Sequence, residues 1–403
     1  MIKPAAFILL SISSLLPFSA SQAVEYEFIG SLGAQGRYFT EQANDPQQTK
    51  SQLSVFAEPE LYLQWNDGDD SFTAKPFLRV DSADDERTHF DIREAVWLHV
   101  QDDWELRVGI NKVFWGVTET LHLVDIVNQT DGVESFDGEE KLGQPMVQFS
   151  LFKDWGYLDV FILPYFRERT FAGEEGRLRG QFKIDTDSAI YESSQEQNHI
   201  DFAANWRNTY DFLDLSLNVF KGTSREPEFV AKLDSTGEPT GELIPFYPQI
   251  TQFGALVQYV NEAWLWKLET INRGGDTIDD YNAMVGGFEY TLVGIGDSTT
   301  DLGWVVEYAY DERDANEVAT QNDISLAARI VMNDIDSTEI LAGFSQDLEF
   351  SDSRALFIEA NTRVGDSSKL IFDMWLFSGD DPQDISSQFE QEDFVQLSYE
   401  WYF

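Results

Sequence analysis

Apolar residues recur at every second position over stretches of about ten residues, and this alternation limits the folds open to the chain. In one such stretch, Leu326, Ala328 and Ile330 share a face. Ser325 and Arg329 lie on the opposite face. Helical periodicity is scarce, and beyond residue 23 no apolar run approaches the roughly 18 residues that a membrane-spanning helix needs. The sequence therefore predicts an all-β protein whose strands have one apolar and one polar face.

Reading the whole chain in this way gives about eighteen candidate strands. Their approximate centres are at residues 32, 58, 76, 95, 108, 148, 161, 204, 217, 256, 268, 286, 306, 328, 342, 359, 373 and 398. Aromatic residues gather near the ends of these strands, as aromatic girdles at the two interfaces of a membrane would require. They are Trp65, Trp104, Trp155, Tyr210, Trp264, Tyr310 and Trp401.

The connections between the candidate strands alternate in length. Short ones lie at 66–70, 101–103, 153–154, 208–211 and 261–263. The intervening ones are mostly long, as at 41–50, 116–143, 167–198, 222–249 and 378–392. Soluble β-sandwiches and solenoids also have alternating strands, but sandwiches do not alternate long and short connections systematically. We therefore expect a transmembrane antiparallel up-and-down β-barrel of about 16–18 strands, with short periplasmic turns and long extracellular loops.

The N-terminus has the layout of a secretory signal peptide. Lys3 supplies a positive charge, and residues 5–18 form an apolar run that is short for a membrane anchor, which would need about 20 apolar residues. Ser21 and Ala23 place small residues at the −3 and −1 positions of a cleavage site. We expect residues 1–23 to be removed and residues 24–403 to form the barrel. The chain has no cysteine, so a small exported scaffold held by disulfides is excluded.

Composition narrows the choice of partners. Aromatic residues make up 14% of a chain whose mean hydropathy is −0.31, a combination that suits a barrel with lipid outside and water inside. The formal charge is −45, from 72 acidic and 27 basic residues, and this excludes nucleic acid as a partner because phosphate binding requires a basic surface. The acidic excess fits either a solvated surface or a vestibule that gathers cations.

The last segment resembles the closing strand of bacterial outer-membrane proteins. One face of this segment carries Val395, Leu397, Tyr399, Trp401 and Phe403. In those proteins a terminal Phe after alternating apolar residues is read by the barrel-assembly machinery. The resemblance implies that Phe403 is read in the same way. It also implies a location in the cell outer membrane, in contact with lipid and lipopolysaccharide.

A second resemblance lies between residues 91 and 131. It is carried by Arg93-Glu-Ala-Val-Trp97, Arg107-Val-Gly-Ile-Asn-Lys112, Phe114-Trp-Gly116 and Val124-Asp-Ile-Val-Asn-Gln-Thr-Asp131. Together they resemble the "R-x-A-Y/W", "G-x-Q/N-x-x-x-W-G" and "D-x-x-N-P-x-D" patterns of porin-like outer-membrane families of Gram-negative bacteria. Gln129 stands where those families usually have proline. The resemblance covers about a tenth of the chain, and it implies a porin-like barrel. It does not identify the solute, and it leaves open whether the protein assembles as a homotrimer.

The polar phase of the strands would line the interior of such a barrel. It brings acidic and basic side chains onto one inner wall, where opposed charges would order water and orient dipolar solutes. The alternative is that these charges pair across strands and stiffen the wall. The candidate pore-lining residues are Glu58, Lys75, Arg79, Asp91, Arg93, Glu105, Arg107 and Lys112.

The long loop at 116–143 is the candidate constriction. Its first part is apolar enough to pack against the inner wall, and an inward loop would narrow the lumen so that its polar residues set selectivity. Thr120, Asp125 and Asn128 are the candidate selectivity residues of the loop. The alternative is an outward loop that contacts lipopolysaccharide or a neighbouring subunit.

Catalytic and metal sites find little support in the sequence. The four histidines, His89, His99, His122 and His199, have no spacing typical of a metal site, and no hydrolase or nucleotide motif is present. We therefore expect no cofactor, and a porin-like channel for passive passage of small hydrophilic solutes or ions. One alternative is a non-conducting barrel with a structural, adhesion or export-partner role. A less favoured one is an outer-membrane hydrolase that uses His89 or His199.

Overall fold

Strands dominate the computed structural model, which describes residues 24–43 and 45–403. The predicted signal peptide at 1–23 lies outside the described residues. The strands are β1 (Glu25–Phe39), β2 (Ser51–Trp65), β3 (Asp70–Asp81), β4 (Phe90–Gln101), β5 (Trp104–Asn111), β6 (Gln144–Lys153), β7 (Gly156–Leu163), β8 (Lys183–Ile184), β9 (Ile190–Tyr191), β10 (Asp201–Tyr210), β11 (Leu213–Thr223), β12 (Glu228–Leu233), β13 (Pro239–Tyr247), β14 (Gln249–Asn261), β15 (Trp264–Gly275), β16 (Tyr281–Leu292), β17 (Asp301–Asp311), β18 (Asn322–Val331), β19 (Glu339–Asp347), β20 (Arg354–Arg363), β21 (Ser368–Ser378) and β22 (Phe394–Tyr402). Short 3-10 helices lie at Asn66–Gly68, Thr186–Ser188, Glu196–Asn198, Ile295–Asp297 and Ile385–Phe389.

Eighteen of these strands form one closed antiparallel sheet. Each strand of this barrel pairs with the next barrel strand along the chain, and β1 pairs with both β2 and β22. At the closure, the Gly30 N–H donates to the Phe403 carbonyl at 3.1 Å, and the Phe403 N–H donates to the Gly30 carbonyl at 3.0 Å. Closure leaves no unpaired edge strand. The predicted all-β up-and-down barrel is confirmed, and each of the eighteen predicted centres lies within a barrel strand.

Long and short connections lie at opposite ends of the barrel. The short-turn end carries both termini of the sheet and the turns at 66–69, 102–103, 154–155, 211–212, 262–263, 293–300, 332–338 and 364–367. The long-loop end carries 112–143, 164–200 and 224–248 among its connections. There β8, β9, β12 and β13 form a small separate sheet. The alternation of connection lengths predicted from the sequence is present as far as β15. Beyond β15, the connection at 276–280 is shorter than the turn at 293–300.

The outer face of the barrel is apolar, and its inner face is mostly polar with apolar clusters. Leu217 on β11 and Phe253 on β14 point outward and are 56% and 58% exposed. The adjacent inward positions Asn218 and Gln252 are buried. At the short-turn end, the outward rings of Trp264 and Tyr290 lie 4.6 Å apart, and other aromatic residues extend this patch. Such an exterior is suited to lipid, with aromatic residues near the level of the headgroups.

No helix among the described residues is long and apolar enough to cross a membrane.

The outward position of Leu217, near the middle of β11, gives a direct test of the lipid-facing surface. We expect Leu217→Arg to lower the free energy of unfolding by about 2–4 kcal/mol, because a charged side chain would be placed near the bilayer midplane. Ile335→Arg is the matched control, since Ile335 is 93% exposed in a turn at the short-turn end. Guanidinium unfolding of the protein folded into lipid vesicles measures both variants. Equal costs for the two would contradict a lipid-facing wall.

Candidate functional site

The segment between β5 and β6, residues 112–143, lies inside the barrel. Its Val124, Ile126 and Val127 are almost completely buried, and they belong to one apolar cluster with the inward side chains of Phe161 and Phe220. Burying these side chains against the wall stabilises the segment in the interior, at roughly 1.5–3 kcal/mol for each fully buried aliphatic residue. One side of the lumen, next to β6–β16, is therefore filled by this segment, which we call the inner loop.

The chain turns inward at Trp115 and Gly116. The Trp115 ring packs edge-on against Phe161, with ring centroids 5.7 Å apart, and the Trp115 N–H donates to Asp125 Oδ1 at 3.2 Å. A β-carbon at Gly116 would lie 2.9 Å from His122 Nδ1 and from the ring of Phe114, so a larger residue would force the turn apart. The Trp-Gly pair thus directs the loop along the inner wall.

Asn128 fixes the base of the inner loop. Its Oδ1 accepts from the Val113 N–H at 3.0 Å, and its Nδ2 donates to the carbonyls of Asn111 and Leu142 at 3.0 and 2.9 Å. These three backbone groups lie where the inner loop leaves β5 and where it returns to β6. Asn128 therefore braces the loop, and it does not face open space.

Gln129, which stands where porin-like families usually have proline, is held by hydrogen bonds. Its Nε2 donates to the Arg167 carbonyl at 3.2 Å, and its backbone carbonyl accepts from the Leu142 N–H at 2.8 Å. The residue is completely buried. Hydrogen bonding at this position restrains the loop without a proline ring.

Glu269 on β15 anchors the tip of the inner loop. It is buried, and its Oε1 accepts from the N–H of Val117 at 2.7 Å and from the N–H and hydroxyl of Thr118 at 3.2 and 2.7 Å. Its Oε2 accepts from the Val124 N–H at 3.3 Å. A buried carboxylate needs several hydrogen bonds to compensate for its lost hydration, and here loop groups supply them.

Glu307 on β17 anchors the neighbouring residues. Its Oε1 accepts from the Glu119 N–H at 2.8 Å, and its Oε2 accepts from the N–H and hydroxyl of Thr120 at 2.9 and 2.8 Å. The Glu119 side chain in turn lies 2.6 Å from Arg329 on β18. Sequence analysis placed Thr120 in the loop but missed both anchoring glutamates. Alternation gives only their inward direction, which they share with many other charged residues.

Two of the predicted pore-lining arginines lie beneath the inner loop. Arg79 Nη2 is 2.7 Å from Glu134, and Arg93 Nη1 is 2.7 Å from Asp131, both on the loop. The two arginines are only 4% and 2% exposed, and the Arg79 guanidinium also lies 4.6 Å from the Phe56 ring. Burial raises the pKa of Glu134, but the charges of Arg79 and of the nearby Arg87 outweigh it and hold that pKa below its ordinary value. These arginines bind the loop to the wall, and their role in lining a pore stays a prediction.

The basic members among the other predicted residues are all in ion pairs. Lys75 lies 3.1 Å from Glu60, and it is in electrostatic range of the half-buried Glu58. The remaining pairs join Arg107 to Glu105 at 3.0 Å, Lys112 to Glu140 at 3.8 Å, and Asp91 to Arg167 at 2.9 Å. Of these pairs, Lys75–Glu60 joins two neighbouring strands, as the alternative in the sequence analysis expects. The pair of Arg107 and Glu105 lies within β5, and the other two involve loop residues.

Asp125, the third predicted loop residue, is buried behind the loop. Its Oδ2 lies 3.4 Å from Lys141 Nζ, while its Oδ1 accepts from the Trp115 N–H. Burial raises the pKa of Asp125, and the charge of Lys141 opposes that rise only in part. Like Asn128, Asp125 acts within the loop.

Space remains on the opposite side of the lumen. A cavity of about 550 Å³ lies between the inner loop and the inner faces of β17–β21. Thr120 and His122 line it from the loop side. Its carboxylates come from both sides and are Glu119, Asp137, Glu139, Asp323, Asp347 and Glu359. Among the described residues that line it, Arg354 is the one Lys or Arg, so the cavity has an acidic lining.

The two histidines considered for a hydrolase, His89 and His199, both lie close to carboxylates. His199 Nδ1 lies 2.8 Å from Asp201, and Asp201 also binds Arg225 at 2.7 Å. His89 lies 3.8 and 3.6 Å from loop carboxylates. Within residues 24–43 and 45–403, no serine hydroxyl is hydrogen-bonded to either ring. These contacts are those of structural residues.

The architecture is a closed antiparallel β-barrel of eighteen strands. No known protein family and no curated relative matches the sequence. Among solved structures, the chain is similar to an engineered protein described for its asymmetric conductivity, at 12% identity and a TM-score of 0.46. It is also similar to a triple mutant of Rhodopseudomonas blastica porin, at 12% identity and a TM-score of 0.44. Each comparison covers 94% of this chain and 100% of the other. The assignment of the barrel rests on the strand pairings themselves.

Removing the Glu269 carboxylate tests whether it holds the inner loop. In Glu269→Ala the amides of Val117, Thr118 and Val124 lose their acceptor, at about 1–3 kcal/mol for unsatisfied buried groups. We expect hydrogen exchange of these amides to accelerate by about 5- to 150-fold. Glu269→Gln keeps an acceptor oxygen and is expected to recover most of the protection.

Glu289→Ala is the control for this experiment, because Glu289 also points inward but lies 3.7 Å from Lys267 on the wall. Equal exchange at the loop amides in Glu269→Ala and Glu289→Ala would show that Glu269 does not anchor the loop.

The His122–Glu139 pair predicts a pH dependence of the loop. Burial lowers the pKa of His122, but the hydrogen bond and charge of Glu139, at 3.0 Å, outweigh it, so the pKa lies above the ordinary 6.5. The stabilisation is therefore complete below pH 6.5 and is lost as the pH rises through the raised pKa. We expect protection factors at Glu139 and its neighbours to fall as the pH rises above 6.5. His122→Gln should abolish this dependence, and an unchanged dependence in that variant would refute it.

Proposed function

We propose that this protein is an outer-membrane channel for passive passage of small hydrophilic solutes or ions. The observation that carries the proposal is the acidic cavity left open between the inner loop and β17–β21, inside a barrel that is apolar outside. An eighteen-stranded barrel is wide enough to hold an aqueous path beside an inserted loop. The path would run where the loop does not fill the lumen.

The inner loop acts in this proposal as the constriction. Glu269 and Glu307 tie its residues 117–124 across the lumen, and this narrows the path to the space facing β17–β21. Thr120 is the predicted selectivity residue that lines this space. Asp125 and Asn128 would act indirectly, since they hold the shape of the loop.

Membrane insertion and assembly are parts of the same proposal. Residues 1–23 would be removed on export, and Phe403 would be read by the barrel-assembly machinery. The C-terminal strand supports this, since Phe403 completes the seam with β1 and its ring lies 5.7 Å from that of Phe28. The apolar exterior would contact lipid and, at the long-loop end, lipopolysaccharide. Assembly as a homotrimer stays a prediction.

A non-conducting barrel is the second candidate function. The observation that favours it is the apolar cluster inside the lumen, where Val124, Ile126 and Val127 pack against the wall of β7–β16. If loops close the remaining space as well, the barrel would serve a structural, adhesion or export-partner role. The hydrolase has less support, since no serine hydroxyl of the described residues is hydrogen-bonded to a histidine ring.

Conductance across planar bilayers tests the channel. We expect the purified protein to give discrete current steps and a reversal potential that favours cations, because carboxylates dominate the cavity lining. Glu359→Gln should lower the cation preference about two- to fivefold, through the loss of one unit charge at the path. Glu238→Gln is the control, since Glu238 is exposed in the connection between β12 and β13.

Silence at every voltage would reject the channel and leave the non-conducting barrel. Conductance with no effect of Glu359→Gln, or with an equal effect of Glu238→Gln, would show that ions follow another path through the lumen.

A further inference from the structure

Aromatic rings line one wall of the acidic cavity, although the inward phase of the barrel is otherwise mostly polar. Phe357 on β20 stacks on Trp375 of β21, with ring centroids 5.1 Å apart and an angle of 24° between the planes. Phe377 continues the row at 6.1 Å and 14° from Trp375. Phe389 lies 5.9 Å beyond it. We call these four rings the aromatic wall.

The aromatic wall is held in position by its surroundings. A β-carbon at Gly343 on β19 would lie 2.8 Å from the Phe357 ring, so this inward glycine leaves room for the ring against the sheet. Phe357 also belongs to one apolar cluster with the inward Val305 and Leu341. From the opposite side, Phe136 of the inner loop approaches Trp375 edge-on at 4.9 Å and 90°. The ring faces are therefore preorganised, and the half-buried Trp375 and Phe377 present surface to the cavity.

Negative charge lies next to these rings. Glu359 follows Phe357 by two positions on β20 and so lies on the same inner face. No described residue forms an ion pair or hydrogen bond with the Glu359 carboxylate, which is in electrostatic range of Asp137, Glu119 and Glu139. Such clustered carboxylates repel each other and favour a cation among them.

Arg354 does not neutralise this cluster. It is exposed at the start of β20, where its Nε donates to Gln346 at 2.7 Å and its Nη2 donates to the Ser351 carbonyl at 3.0 Å. Arg329 is engaged with Glu119 and Glu339 at 2.6 Å each. Glu119 is thus paired with Arg329, and Glu139 is paired with His122. Glu359 and Asp137 have no cationic partner among the described residues, and they line the same cavity as the aromatic wall.

Only one class of solute satisfies both features. An anion would be repelled, and a neutral sugar would stack on the rings but leave the carboxylates uncompensated. A small inorganic cation would pair with the carboxylates and keep its hydration shell, so it would gain little from the rings. An alkylated ammonium group is weakly hydrated, and aromatic faces attract it by cation–π interaction.

We propose that the cavity between the aromatic wall and the inner loop is a binding site for small organic cations of the quaternary ammonium type. The inference rests on the proposed channel, because the channel gives the solute access to the cavity. It adds to that proposal the class of solute that the channel favours. The cavity volume of about 550 Å³ lies in the range of small-molecule sites. Trp375 and Phe377 bind the alkyl groups by their faces, and Glu359 supplies the opposite charge.

Calorimetric titration of the folded protein in detergent tests this site, with choline as the probe. The neutral comparison ligand is 3,3-dimethylbutan-1-ol, which has the shape of choline without the charge, and glucose is the sugar comparison. We expect choline to bind at least about 10-fold more tightly than either, because only choline combines charge with cation–π attraction. Equal binding of choline and its neutral analogue would overturn the proposal, and so would tighter binding of glucose.

Variants locate the binding. Trp375→Leu keeps apolar volume but removes the aromatic face, and it should weaken choline binding about 5- to 30-fold. Trp304→Leu is the matched control, since Trp304 points outward on β17 and is about half exposed. Phe377→Leu serves the same purpose if Trp375→Leu does not fold. Glu359→Gln should weaken choline and leave the neutral analogue unchanged. Unaltered choline binding in all three cavity variants would overturn the proposal.

Bilayer measurements separate this site from the channel. If the protein conducts potassium chloride but binds choline no more tightly than the neutral analogue, the site is rejected and the channel is retained. Choline binding that Trp375→Leu weakens, in a protein that conducts no ions, would reject the channel and support the site.

Discussion

Closure of the sheet is the constraint on which the rest of the structure depends. Each barrel strand has two hydrogen-bonded neighbours because β22 returns to β1, so the backbone of the wall satisfies its own donors and acceptors. Only such a closed sheet allows the outer face to be apolar along its whole circumference, since no polar edge is exposed to lipid. Closure also creates an interior large enough to hold a loop of the same chain.

Buried charge then divides that interior. Glu269 and Glu307 accept backbone N–H groups of the inner loop and hold it across the lumen. On one side, Arg79 and Arg93 are buried in ion pairs with carboxylates of the loop. On the other side, an acidic and partly aromatic space stays open. Carboxylates of the inner loop thus form ion pairs with the arginines of one wall, while other carboxylates line the cavity. The open side of the lumen is therefore acidic, even though arginines are present in the barrel.

The sequence predicts some features of this interior and does not predict others. Alternation gave the inward direction of Arg79 and Arg93 because it depends only on residue spacing along one strand. It could not give the contacts between wall and loop: Glu134 lies 55 positions from Arg79, and Glu269 lies 152 positions from Val117. Nothing local specifies such pairs. Alternation alone therefore predicts which residues point inward. It does not distinguish the inward residues that face the cavity from those that the inner loop covers.

The sequence by itself indicated the positions of the strands, a number of about 16–18, the apolar exterior and the longest loops, because each of these follows from short-range patterning along the chain. It also marked residues 116–143 as the loop suited to the interior. Only the tertiary structure decided which side of the lumen this loop fills. That outcome depends on where distant inward glutamates and arginines meet loop amides and carboxylates. The stacking of Phe357, Trp375 and Phe377 beside an unpaired carboxylate likewise arises from the register of neighbouring strands, which spacing within one strand does not fix.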